Sequence, residues 1–78
     1  MPITKDLNYY LHLPYSILLV PEEDGGWFAK VPELPGCMTY GETQAEALEL
    51  IADAKKLWLE SCLENGDPIP EPEAQLMS

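Results

Sequence analysis

The pattern of apolar and polar residues predicts a small sheet followed by one long helix. Three short runs, 15–20, 27–31 and 37–40, are bounded by Pro and Gly and are rich in aromatic and branched residues, which is typical of strands. In the first run, apolar side chains occupy both alternating sets of positions, as in Leu18 and Leu19. That strand is therefore expected to be covered, at least in part, on both faces.

Tight turns are predicted between the three runs. In the segment 22–26 (Glu-Glu-Asp-Gly-Gly), Asp-Gly favours the positive φ angles of a hairpin loop. Pro35-Gly36 fits the central positions of a type II turn, since Pro presets φ at the first and Gly accepts a positive φ at the second. Short strands joined in this way predict a three-stranded antiparallel sheet.

The long helix has recognisable start and stop signals. Thr43-Gln-Ala-Glu46 is a capping box, in which the Glu46 carboxylate is expected to reach back to the Thr43 amide. The helical pattern runs to Glu64, and Asn65-Gly66 supplies a left-handed stop. The segment is therefore predicted to be an amphipathic helix packed on one face of the sheet.

The apolar stripe of this helix is wider than one sheet face requires. The central row consists of Ala47, Ile51, Ala54, Trp58 and Cys62, with further apolar residues on both sides of it. Part of this surplus is expected to contact another chain. The predicted oligomer interface consists of Leu48, Leu59 and Leu63, and the protein is expected to form a homo-oligomer.

The two ends of the chain differ from the middle. Residues 1–14 are predicted to be an N-terminal arm that can hold a short helix, which would end before Pro14. Residues 15–66 form the predicted α+β domain, and residues 67–78 an acidic, Pro-rich tail. The spacing of Pro68, Pro70 and Pro72 indicates an extended segment without fixed structure.

The net charge narrows the possible functions. The chain has 14 acidic residues against 4 Lys and Arg, which gives a formal charge of −10. Nucleic-acid binding depends on Lys and Arg to neutralise phosphates, so direct nucleic-acid binding is not expected. An acidic surface suits a basic protein partner, although net charge also serves solubility alone.

No catalytic, metal or cofactor motif is present in the sequence. His12 is the single histidine and has no recognisable nucleophile beside it. Cys37 and Cys62 lack metal-ligand spacing, and we expect them to be reduced apolar residues in a cytoplasmic protein. The acids 22–24 could bind a divalent cation, but a solvated loop is the simpler interpretation. No apolar run is long enough to span a membrane.

An ordered series of residues resembles the HicB-like antitoxin family. It runs through Asp24-Gly-Gly26, Ala29-Lys-Val-Pro32, Leu34-Pro-Gly-Cys37, Gly41-Glu-Thr43 and Glu46-Ala-Leu48, and a Gly66-Asp-Pro-Ile-Pro70 ending follows the long helix. The ordered spacing of Gly, Pro and Cys makes the resemblance specific. It covers roughly residues 15–72.

The resemblance implies a partial RNase H-like fold without nuclease activity. It also implies binding to a HicA-type toxin, a small basic RNA-cleaving protein whose active-site face the antitoxin covers. The sequence departs from many members of the family, because no DNA-binding domain follows residue 72 and repression of its own promoter is not expected. An alternative is a stand-alone homo-oligomeric regulatory or structural module without a toxin.

Loop position and charge, rather than the family pattern, suggest which residues contact the toxin. The predicted partner-binding residues are Glu22, Glu23, Asp24 and Glu33. These carboxylates would meet Lys and Arg of the toxin and displace RNA.

Overall fold

The structure, a computed structural model, describes residues 5–72. Its elements, in chain order, are α1 (Leu7–Leu11), β1 (Leu18–Pro21), β2 (Trp27–Lys30), β3 (Met38–Gly41) and α2 (Gln44–Asn65). The strands form an antiparallel sheet in the order β1-β2-β3. Helix α2 packs on one face of the sheet, and α1 packs against α2. The predicted α+β fold, with three strands and one long helix, is confirmed.

The first strand begins later than predicted, because the residues before it bond outside the sheet. The Tyr15 hydroxyl donates to the Pro70 carbonyl at 2.6 Å. The Ser16 amide donates to the Glu33 carboxylate at 3.2 Å. At its other end β1 includes Pro21, one residue beyond the predicted end. An edge strand tolerates Pro because the missing N–H faces away from the sheet.

Both predicted turns are confirmed. Gly25 and Gly36 have φ angles of 92° and 82°, in the left-handed region that favours glycine. In the second turn the Cys37 amide donates to the Leu34 carbonyl at 3.0 Å, with Pro35 and Gly36 between them. This turn carries the chain from β2 into β3 without a long loop.

The ends of α2 largely follow the sequence signals. Thr43 Oγ1 accepts from the Glu46 amide at 3.0 Å, as predicted. The Glu46 carboxylate, however, accepts from the Glu42 amide at 2.7 Å rather than from Thr43. The cap therefore reaches one residue further back along the chain. At the other end Gly66 is left-handed, with φ of 70°, and its amide donates to the Cys62 carbonyl.

The core lies between the sheet and α2. Its fully buried residues come from β2, the following turn and α2: Ala29, Val31, Leu34, Cys37, Ala47, Ile51 and Leu59, joined by Tyr10 from α1. Gly41, at the end of β3, lies against the backbone of α2. A Cβ atom there would lie 2.5 Å from the Ala47 amide nitrogen and 2.8 Å from its Cα. Only glycine permits this approach.

The first and last described segments are bonded to each other. The Lys5 ammonium pairs with the Glu71 carboxylate at 3.1 Å, and the Tyr9 hydroxyl donates to the same carboxylate at 3.2 Å. With the Tyr15–Pro70 bond, these contacts form what we call the terminal clasp (Lys5, Tyr9, Tyr15, Pro70, Glu71). Pro72 is buried beside it. Residues 67–72 have no regular secondary structure, and the clasp holds them against the N-terminal segment. The rest of the predicted tail lies outside the described residues.

Candidate partner-binding surface

Four carboxylates lie at one end of the sheet. Glu22, Glu23 and Asp24 are exposed in the loop between β1 and β2. Glu42 follows β3 and comes to the same end, because β3 runs antiparallel to β2. We call these four residues the acidic rim. Asp24 and Glu42 line a shallow cavity of about 340 Å³ together with Tyr40.

Glu42 was not among the predicted partner-binding residues, although the sequence contains a signal for it. A meander of three antiparallel strands places the first turn and the end of the third strand at the same end of the sheet. The residue after Gly41 must therefore lie near the 22–26 loop.

Tyr40 fixes the position of the Asp24 carboxylate. The two Asp24 oxygens accept from the Tyr40 hydroxyl at 2.8 and 2.7 Å, and Oδ1 also accepts from the Gly26 amide at 2.9 Å. The Gly26 and Tyr40 hydrogen bonds hold the pKa of Asp24 below its ordinary value of 3.8. The bond to Asp24, with burial and nearby carboxylates, raises the pKa of Tyr40 to about 12. The Asp24 carboxylate is therefore ionised at neutral pH.

The Asp24–Tyr40 pair predicts a defined pH dependence of stability. Because folding lowers the pKa of Asp24, its ionised form stabilises the fold at pH values above 3.8, and this contribution is lost as pH falls through the pKa of the folded state. Because folding raises the pKa of Tyr40, the neutral hydroxyl stabilises the fold at pH values below 10, and this contribution is lost as pH rises towards about 12. We expect the stability difference between wild type and Tyr40→Phe to shrink at both extremes. Urea unfolding at a series of pH values measures it.

An Asp24→Asn background provides the control for this pH dependence. In that background, the effect of Tyr40→Phe on the free energy of unfolding should not change as pH falls, because no carboxyl group is left at position 24. Parallel pH curves for wild type and Tyr40→Phe would show that the pair does not couple stability to pH.

Glu33 lies apart from the acidic rim. It follows β2, whereas the loop acids 22–24 precede β2, so the two groups lie at opposite ends of a strand about 13 Å long. Its carboxylate accepts from the Ser16 amide and, at 2.9 Å, from the Ser16 hydroxyl. The structure thus brings together three of the four predicted partner-binding residues and gives Glu33 a local role.

The three residues of the predicted oligomer interface are also separated. Leu48 and Leu63 are 42% and 37% exposed on α2. Leu59, in contrast, is completely buried in the core. Its side chain therefore does not reach the surface, because Leu59 lies on the side of α2 that faces the core.

Another apolar surface lies on the side of the sheet opposite α2. The strand register places six side chains there in two rows: Leu18, Lys30 and Met38, then Val20, Phe28 and Tyr40. We call them the open sheet face. The sequence predicted a covered outer face for the first strand, but in the isolated chain Leu18 and Val20 are 44% and 37% exposed.

The described residues offer no other reactive arrangement. Within residues 5–72, no three His, Cys, Asp or Glu side chains converge so that they could hold a metal ion. His12 is exposed, and its Nδ1 lies 2.7 Å from the Asn8 carbonyl oxygen. Burial raises the pKa of the free Cys37 and Cys62 thiols, which disfavours reactive thiolates. None of the helices in this part of the chain is long and apolar enough to cross a membrane.

Comparison with known proteins identifies related chains, two of similar length and one much longer. A UPF0150 protein of Thermoplasma acidophilum is 36% identical over 63 residues, which cover 81% of this chain and 91% of the relative. A UPF0150 protein of Synechocystis is 39% identical over 62 residues, covering 80% and 85%. Antitoxin HicB 1 of Photorhabdus laumondii is 38% identical over 61 residues, but these cover 78% of this chain and only 39% of the relative.

Comparison with protein families gives the same result. Residues 15–77 match the family described as "HicB_like antitoxin of bacterial toxin-antitoxin system". The match includes the hairpin loop, the Pro-Gly turn and α2, which are the segments whose residues carried the resemblance. The chain therefore belongs to the HicB-like antitoxin family (UPF0150).

Proposed function

We propose that this chain is a non-enzymatic antitoxin that binds a small, basic, HicA-type RNA-cleaving toxin in the cytoplasm. It would cover the active-site face of the toxin and exclude RNA. Family membership supports a role in a toxin-antitoxin system. The acidic rim supports this mode of binding, because its carboxylates supply the negative charge that a basic active site attracts.

The observation that carries the proposal is the lack of cations around the acidic rim. Within residues 5–72, no ion pair involves Glu22, Glu23, Asp24 or Glu42. Lys5, by contrast, is paired with Glu71 in the terminal clasp. Carboxylates that form no ion pair within the chain attract a basic partner and orient it before contact. Lys and Arg of the toxin would then occupy positions that RNA phosphates otherwise take.

The direct test is to look for a small basic protein encoded beside this chain and to co-express the two. A stable complex in a pull-down, together with restored growth of cells that express the toxin, is the expected result. If that protein inhibits growth and this chain neither binds it nor restores growth, the proposal is wrong.

Charge reversal in the hairpin loop is expected to slow association with the toxin. The Glu22→Lys/Glu23→Lys variant should associate about tenfold more slowly at low ionic strength, because steering depends on the rim. The difference should disappear at about 1 M salt, where the screening length falls to ~3 Å. Stopped-flow association rates at several salt concentrations measure this effect. Asp24 is left unchanged because it also holds Tyr40.

A matched control comes from α2. The Glu49→Lys/Asp53→Lys variant has the same net charge, but its substitutions are on the exposed side of the helix. It should slow association less at every salt concentration below 1 M. Equal rates for the two variants would mean that net charge, rather than the rim, attracts the toxin.

A second candidate function is a stand-alone homo-oligomeric module without a toxin. The exposed apolar side chains of the open sheet face favour it, because a face of this kind suits association. If no basic protein is encoded beside this chain, and the chain self-associates, this function is supported instead.

A further inference from the structure

In the part of the chain that the structure describes, β3 is an edge strand with no neighbour beyond it. The Val31 amide donates to the Cys37 carbonyl at 3.0 Å, and this is a hydrogen-bonded pair of the ladder that continues into β3. Such pairs alternate along an antiparallel ladder, so the next residue that bonds to β2 is Thr39. The peptide N–H and C=O groups of Met38 and Tyr40 therefore point outward from the edge of the sheet.

The opposite edge of the sheet is protected, whereas the β3 edge is not. On β1 the Glu22 amide donates to the Gly26 carbonyl at 2.8 Å, and the same alternation leaves Leu19 and Pro21 pointing outward. Pro21 has no N–H to offer, and the terminal clasp reaches the segment just before β1. The strand β3 contains neither Pro nor a charged residue, which are common means of preventing pairing at an edge. An edge without them is a template for an added strand.

Helix α2 adds an apolar wall beside the β3 edge. The Lys55 ammonium lies 5.9 Å from the centre of the Tyr15 ring, so that flank of α2 is turned towards the start of β1. At about 100° per residue, Leu50 and Leu57 lie roughly 140° and 160° around the helix from Lys55, beyond the buried row. Their flank is therefore turned towards β3, against which α2 packs. Leu57 is 66% exposed, the largest value among the large apolar side chains described. We call this surface the edge groove (Met38, Tyr40, Leu50, Leu57).

The charges along the edge groove indicate the kind of segment that fits it. Glu42 directly follows β3, and the Asp24 carboxylate accepts from the Tyr40 hydroxyl, so this end is acidic. At the other end Lys30 is paired with Met38 in the register and supplies a positive charge. A strand placed along β3 is therefore favoured if it has a cation beside Tyr40 and an apolar residue beside Met38. We propose that an extended segment of the basic toxin adds a fourth strand to the edge of β3, an inference that rests on the proposed function.

Strand addition would use both walls of the edge groove. The N–H and C=O groups of Met38 and Tyr40 would form backbone hydrogen bonds with the added strand. Its side chains would point alternately towards the open sheet face and towards Leu50 and Leu57. A slip by one residue would turn its cation away from Asp24 and towards the apolar wall, so the register is specified. The acidic rim would then attract the toxin, and the β3 edge would hold it.

Amide hydrogen exchange, measured by NMR on the free chain and on its complex with the toxin from the co-expression experiment, tests this docking mode. The outward amides of Met38 and Tyr40 should exchange rapidly in the free chain. In the complex their exchange should slow at least ~10-fold, because they would be hydrogen-bonded within a ladder. The Leu19 amide is the internal control, since it points outward from the opposite edge and should exchange equally fast in both states.

A backbone variant tests the same edge without changing a side chain. Chemical synthesis with ligation at Gly36–Cys37 gives access to a chain that is N-methylated at Met38. Because this amide does not bond to β2, the variant should fold normally, as circular dichroism can verify. Its affinity for the toxin should fall about tenfold, since it loses a backbone hydrogen bond and gains a steric obstacle. The matched control is N-methylation at Leu19, which should leave the affinity unchanged.

A side-chain variant tests the apolar wall. Leu57→Ala should fold normally because Leu57 is 66% exposed, and it should weaken toxin binding severalfold. Leu63→Ala is the control, since Leu63 lies on the other flank of α2 and should leave the affinity unchanged.

The outcomes separate this inference from the proposed function. If the toxin binds, but the Met38 and Tyr40 amides exchange as fast as in the free chain, strand addition is wrong and the antitoxin function stands. If the toxin does not bind at all, both fail. Equal protection of Leu19, or full affinity after N-methylation at Met38, would also overturn strand addition. So would protection of Met38 and Tyr40 that rises with concentration in the isolated chain, because a second copy would then occupy the edge.

Discussion

Replacing Gly41 with Ala is expected to destabilise the fold by about 3 kcal/mol. The added methyl group would meet the backbone of Ala47, 2.5 Å from its nitrogen, so relief requires α2 to move away from the sheet. Overpacking of this kind costs ~1–3 kcal/mol, and a backbone obstacle places Gly41 at the upper end. Urea unfolding monitored by tryptophan fluorescence measures the change in the free energy of unfolding.

The matched control is the same substitution at a glycine with open space around it. Gly66 has φ of 70°, and no neighbouring atom lies within 4 Å of the point that an added methyl group would occupy. Gly66→Ala should therefore cost only about 1 kcal/mol, the backbone cost of a left-handed residue. Equal losses at the two positions would show that the contact between Gly41 and Ala47 is not what limits the helix–sheet distance.

Leu59→Ala is expected to have a similarly large effect, about 3–4 kcal/mol. The Leu59 side chain is completely buried in the core, so its removal leaves a cavity as well as losing transfer free energy. Small domains have total stabilities of only about 5 kcal/mol or somewhat more. We therefore expect a large fraction of unfolded protein, measurable as a lowered urea midpoint.

Leu63→Ala provides the comparison, because Leu63 is 37% exposed on the same helix. It should cost less than about 1 kcal/mol. If Leu59→Ala were as mild as Leu63→Ala, the burial of Leu59 would contribute little to stability, and its predicted role in an interface would have to be reconsidered.

The architecture could be predicted because its signals are local. The Asp24-Gly25 and Pro35-Gly36 pairs determine turns within four residues, and the Thr43–Glu46 cap marks the start of α2. The start of β1 could not be predicted in the same way. The segment that begins at Tyr15 has the composition of a strand, but the Tyr15 hydroxyl donates a hydrogen bond to the Pro70 carbonyl, 55 residues later in the chain. A contact so distant in sequence leaves no periodic signal.

The candidate surfaces could be predicted only in part, for a related reason. The acids of the hairpin loop are adjacent in sequence, whereas Glu42 joins them through strand pairing. Glu33 has the same charge, but its bonds to Ser16 depend on where the preceding loop folds. For Leu59, helical spacing showed which residues share a side of α2, but not how much of that width the sheet and α1 would cover.

The terminal clasp has a consequence for the order in which the molecule forms. Lys5 and Glu71 are separated by 66 residues, and closing so long a loop in a disordered chain has a high entropic cost. The hairpins and α2 close much shorter loops, so their contacts can form while the ends are still apart. The clasp therefore depends on order that the sheet and helix have already established. By the same reasoning it can open while they persist, which makes the two ends of the described chain a separate, less stable unit of folding.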